Sequence, residues 1–182
     1  APVAQAPTPT ELNRRKLAAL KTIVKNDPED IAFRISLSDV LMEIGSHAEA
    51  NAAVRKAVQT NPKKVIKIFS EACDKGKIDA CNNLGVLYFD GDGVPKNRIR
   101  AAELYKRACD GRDYNACTNL ALMYGGGVGV VRDERKGLTL LNKACTGGQM
   151  GACARLGELY LSGVGGGSYV EQGKQLLGHA CR

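Results

Sequence analysis

The chain of 182 residues has no tryptophan, 5% aromatic residues, two histidines and no apolar run approaching 18 residues. The last absence excludes a membrane-spanning helix. Few aromatics leave little to stack on bases, so the formal charge of +7 does not by itself mark a nucleic-acid binder. The basic residues Lys63, Lys64, Lys67, Lys75 and Lys77, and then Lys96, Arg98, Arg100, Lys106, Arg107 and Arg112, are interrupted by Glu71, Asp74, Glu103 and Asp110. That is the pattern of a solvated helix face. Catalytic signatures are missing as well: there is no Ser-x-x-Lys, Gly-x-Ser-x-Gly, His-Glu-x-x-His or phosphate-loop lysine motif. The only histidines, His47 and His179, fall outside the three C-x7-C units, and no CxxC pair occurs, so no metal site is expected.

What the sequence does have is a repeat. Cys73, Cys109, Cys145 and Cys181 are each 36 residues apart, and so are Cys81, Cys117 and Cys153. Leu84/Leu120/Leu156, Tyr88/Tyr124/Tyr160, Gly91/Gly127/Gly163 and Gly93/Gly129/Gly165 keep the same step, with Ala72, Ala108, Ala144 and Ala180. A fixed period in this range predicts a solenoid, each unit burying its apolar face against its neighbours. Apolar spacing of three and four throughout predicts helices only. The expected fold is an all-α, right-handed α/α superhelix, and seven cysteines at regular spacing suit disulfides in an oxidising compartment.

Three regions are expected. Residues 1–10, with three prolines, read as a flexible tether, and a start at Ala1 without methionine is compatible with a removed export signal. Residues 11–63 hold an amphipathic helix and a helix pair. Residues 64–182 carry the cysteine repeats. The glycine-rich segments GDGV, GGGVGV and GVGGG recur at the repeat period between helices, so their glycines are read as turn residues rather than a phosphate cradle.

The stretch 31–64 resembles one tetratricopeptide repeat, with Leu37, Ser38, Leu41, Gly45, Ala50, Val54, Ala57 and Pro62 at the family's small or apolar positions. From Lys64 onward the chain resembles Sel1-like repeats of the cysteine-rich kind known from the Helicobacter cysteine-rich proteins. The segments that carry the likeness are ACNNLGVLYFDGDGV, ACTNLALMYGGGVGV and GACARLGELYLSGVG, followed by second helices such as AELYKRAC and TLLNKAC. The likeness implies helix pairs over roughly 78–110, 114–146 and 150–181, preceded by a lone second helix at 64–75.

The residues alone leave two disulfide registers open. Cys73–Cys81, Cys109–Cys117 and Cys145–Cys153 pair across short loops and leave Cys181 over. Alternatively Cys81–Cys109, Cys117–Cys145 and Cys153–Cys181 pair and leave Cys73 over. The resemblance implies the first register.

First helices of stacked pairs line the concave face, and equivalent positions form ladders along it. One ladder reads Asn83, Asn119, Arg155, in which amides can hold a peptide backbone and the guanidinium a carboxylate. Val86, Leu122 and Glu158, with Asn82, Thr118 and Phe89, would complete a partly apolar groove. The expected function is that of an exported bacterial scaffold, periplasmic or secreted, that binds a protein or peptide segment without catalysis or cofactor; the positive charge favours an acidic partner. Some cysteine-rich Sel1 proteins are described as binding or slowly hydrolysing penicillin-type compounds, and that is the alternative the resemblance raises. The serine and lysine such chemistry ordinarily uses are not found together here.

Overall fold

In a computed structural model of the protein, residues 17–18, 20–21, 47–164, 171–172 and 175 are described. The expected tether, most of the first helix pair, Gly45, Cys181 and the partner helix of the last repeat lie outside them. Two compact units divide between Lys67 and Ile68. The first contains α1 (His47–Thr60) and the start of α2 (Pro62–Asp74). Asn61 caps α2 by accepting from the Lys64 amide at 3.0 Å, and Pro62 occupies the first turn, where no amide donor is needed.

The second unit contains the rest of α2, then α3 (Ile78–Asp90), α4 (Arg98–Asp110), α5 (Tyr114–Gly126), α6 (Glu134–Thr146) and α7 (Met150–Leu161). Every element with assigned bounds is a helix, and from α3 to α7 each helix packs against the next as an antiparallel neighbour in an α/α solenoid. Side-chain caps mark most starts: Asn97, Asp113, Asp133 and Gln149 accept from the Arg100, Ala116, Lys136 and Ala152 amides. Gly91, Gly127 and Gly163 turn the chain out of the first helices at φ +81°, +64° and +87°. L-residues rarely adopt that conformation, which explains the glycine ladder.

The core repeats as the sequence does. Leu84, Leu120 and Leu156 are buried, with Ala101, Ala108, Ala116, Ala144 and Ala152 at the helix crossings. Each fully buried leucine contributes roughly 1.5–3 kcal/mol relative to exposure. Small residues set how closely helices approach. The Tyr105 ring of α4 lies over Gly85 of α3, where an added Cβ would sit 2.7 Å from it. One repeat on, the same positions are Ala121 and Leu141, so a methyl appears where the ring is lost.

Disulfides join Cys73 to Cys81, Cys109 to Cys117 and Cys145 to Cys153. This is the short-loop register, with Cα separations of 4.8, 4.6 and 4.6 Å, inside the range a disulfide spans. Each ties the last turn of one helix to the first turn of the next. A cation reinforces two of the junctions. The Arg107 guanidinium donates to the Cys73 carbonyl, and the Lys143 ammonium donates to the Cys109 carbonyl at 2.8 Å. Both satisfy carbonyls at helix C-terminal ends, where positive charge is favoured.

Candidate functional site

Two clefts open beside the first helices of the second unit. The smaller, about 290 Å³, lies between α3, α4 and α5 and is lined by Val86, Phe89, Asp90, Tyr105, Asn119 and Leu122, with Met123 and Val128. The larger, about 580 Å³, lies between α5, α6 and α7. Leu122, Gly125, Gly126, Leu141, Arg155 and Glu158 form its principal walls, together with Leu159 and Val164. The two clefts are the same site one repeat apart. Adding 36 to each of the eight residues lining the first gives a residue lining the second.

The expected groove residues separate on this geometry. Val86, Phe89, Asn119 and Leu122 line the smaller cleft, and Leu122, Arg155 and Glu158 line the larger, so Leu122 borders both. Asn82 is buried at 9% exposure, and its carbonyl oxygen accepts a long contact of 3.5 Å from the Asn119 amide. It is therefore withdrawn from the surface, with its side chain against that of Asn119. The Thr118 hydroxyl donates to the Tyr114 carbonyl of its own helix, and neither Thr118 nor the half-buried Asn83 lines a cleft.

Several lining residues escaped sequence reasoning: Tyr105, Met123 and Val128, and in the larger cleft Gly125, Gly126, Arg132, Glu134 and Leu141. Second-helix residues reach the clefts because Gly137 brings α6 against α5, where an added Cβ would lie 3.1 Å from the Ala121 carbonyl. The 36-residue step itself could have found the correspondence, once one cleft was known.

Charge at the two sites differs. The smaller cleft carries Asp90, which raises the Tyr105 phenol further above its ordinary range, although burial is the larger cause. The larger has Arg132 tied to Glu134, while the exposed side chains of Arg155 and Glu158 make no ion pair or hydrogen bond with any described residue. Its one hydroxyl, Ser162, donates to the Leu159 carbonyl at 2.8 Å, and neither cleft is lined by a histidine or lysine that could act as its base.

The Sel1 repeat model matches residues 78–113, 115–149 and 151–174, more than half of the chain. The chain belongs to the Sel1 repeat family. Members are repeat scaffolds that generally bind other proteins. No curated protein matches this Sel1 repeat chain. Among solved structures, it is similar to a Sel1 repeat protein from Oxalobacter formigenes, at 23% identity and a TM-score of 0.62 over 78% of this chain and 66% of that one. It is also similar to Helicobacter pylori cysteine-rich protein B, at 26% identity and a TM-score of 0.56 over 75% of this chain and 94% of that one. A protective antigen of uropathogenic Escherichia coli shares the fold at 18% identity and a TM-score of 0.59, over 90% of this chain and 44% of that one. The three disulfides fit an oxidising compartment, and no described helix is long and apolar enough to cross a membrane.

Proposed function

We propose that this Sel1 repeat protein is an exported scaffold that captures an extended segment of another protein along its first helices, without catalysing a reaction. The observation that carries the reading is the pair of repeat-related clefts on either side of Leu122. A continuous row of part-apolar sites with polar groups between them suits a chain of alternating side chains and backbone amides. Asn119 offers a donor and an acceptor for the segment's backbone, and Arg155 offers two parallel donors for a carboxylate. Val86, Phe89 and Leu122 receive apolar side chains, and Glu158 meets a cationic or amide group. The net charge of +7 speeds encounter with an acidic partner. Export is supported by the three disulfides, which form and persist outside reducing compartments. The penicillin-type alternative has less support, because the cleft hydroxyl of Ser162 donates to the Leu159 carbonyl and no lysine or histidine lines the cleft beside it.

A photo-crosslinking residue at position 122, in cells that produce the protein, identifies the partner. The purified pair is then titrated. The Arg155→Ala variant should bind more weakly by roughly 1–3 kcal/mol, the range for losing a hydrogen bond to a charged group. If the Asn83/Asn119/Arg155 triple-alanine variant binds the partner with unchanged affinity, the groove is the wrong surface.

A further inference from the structure

The two clefts share a blueprint and differ twofold in volume, and the sequence of this chain explains why. At the wall of the smaller cleft stands the Phe89 ring, with the Arg98 guanidinium 5.9 Å above its centre. Its counterpart in the larger cleft is Gly125. The Tyr105 ring likewise becomes Leu141, and Asp90 becomes Gly126. Three side chains shrink at one site, and about 290 Å³ becomes about 580 Å³.

Gly125 is not required by the fold. Its φ is not among the left-handed glycines of the chain, and a Cβ built on it meets nothing within 4 Å. The turn is made two residues later by Gly127, at φ +64°. Glycine weakens a helix relative to alanine, so its presence in the last turn of α5 has no local benefit. What it does is leave open space in the cleft wall.

We propose that the cleft between α5, α6 and α7 is the selective subsite of the groove: it takes one bulky apolar side chain of an extended peptide segment, with an adjacent carboxylate on Arg155. The inference rests on the groove reading above and adds what is recognised. A volume of 580 Å³ is within the range of sites that enclose a ligand group, whereas 290 Å³ is at its lower edge and admits a small side chain. Arg155 is exposed and uncommitted among the described residues, in contrast to Arg132, which is held by Glu134. Glu158, one turn further along α7 on the same wall, disfavours a second carboxylate beside the first. The segment chemistry is therefore one bulky apolar residue with a single acid next to it.

The test uses blocked octapeptides of glycine, serine and alanine, with one aspartate beside a central tryptophan, phenylalanine, leucine or alanine. They are titrated to millimolar concentration against the full chain by heteronuclear NMR. The tryptophan and phenylalanine peptides should bind at least tenfold more tightly than the alanine peptide, with shifts centred on Gly125, Gly126 and Leu159. The Gly125→Phe variant should lose that size preference while melting no lower than the parent, since the added side chain has room and the helix gains. Arg155→Ala should cost the aspartate peptides fivefold or more and leave their asparagine counterparts unchanged. A parent protein indifferent to the central side chain, or a Gly125→Phe protein that keeps the preference, overturns the inference. If peptides shift Val86 and Asn119 without regard to the central residue, only the subsite falls and the groove reading stands. If none perturbs either cleft, both fall.

Discussion

Replacing Cys109 and Cys117 together by alanine removes the staple between α4 and α5 and leaves the flanking bonds in place. The bond closes a loop of eight residues in sequence separation. By loop-closure entropy, cutting it frees the unfolded chain by about 2.5 kcal/mol at 25 °C. Both cysteines are buried, at 1% and 0% exposure, so trimming the sulfurs adds roughly 1–2 kcal/mol in lost contacts. The sum, about 4 kcal/mol, is a large part of the roughly 5–15 kcal/mol that holds a domain folded. The double variant should therefore melt roughly 10–20 °C below the parent by calorimetry. Its urea slope should rise, because the unfolded chain without the bond exposes more surface. Cys181→Ser, which touches none of the three bonds, should melt within a few degrees of the parent. A double variant that melts within about 2 °C of the parent would refute the reasoning, because neither the entropy nor the burial would then matter.

Other outcomes follow from single sites. Gly129→Ala combines φ +70° with a Cβ placed 2.4 Å from the Arg98 carbonyl oxygen, so urea titration should show a loss of roughly 2–4 kcal/mol. Gly148→Ala has a similar φ, +92°, but open space, and should lose only about 1 kcal/mol. Asp113 caps α5 in a partly buried position, and desolvation, with help from Asp79, pushes its carboxyl above the usual range. Its ionisation therefore costs stability as pH rises from the ordinary aspartate value through the raised folded value. Asp113→Asn keeps the cap, so it should be more stable than the parent at pH 7, with the gain fading at and below about pH 3.8 in melting curves. Cys145 is half-buried whereas Cys73, Cys81, Cys109 and Cys117 are fully buried, so limited reduction and alkylation should label Cys145 and Cys153 first by mass mapping.

Much of this molecule is legible in one dimension. The step of 36 residues gives the repeat, and three-and-four spacing gives the helices. Expected starts at 78, 114 and 150 coincide with α3, α5 and α7. The turn glycines were legible because a left-handed residue leaves a chemical signature at one position. The cysteine register was not legible from spacing, since the start of a first helix lies near the ends of two second helices. The resemblance supplied it, and Cα separations near 4.6–4.8 Å agree with it.

The groove was legible only as a row of positions. Asn82 and Asn83 are neighbours in sequence, and only packing shows that one is buried against Asn119 while the other is half-buried outside both clefts. The sequence by itself determined the helices, the turns and the period, because each depends on residues within a few positions of one another. Tertiary structure alone decided the size of each cleft. A cleft is the space left by side chains from three helices, and neither Phe89 nor Gly125 reveals that it borders one until Tyr105 or Leu141 is brought across from it.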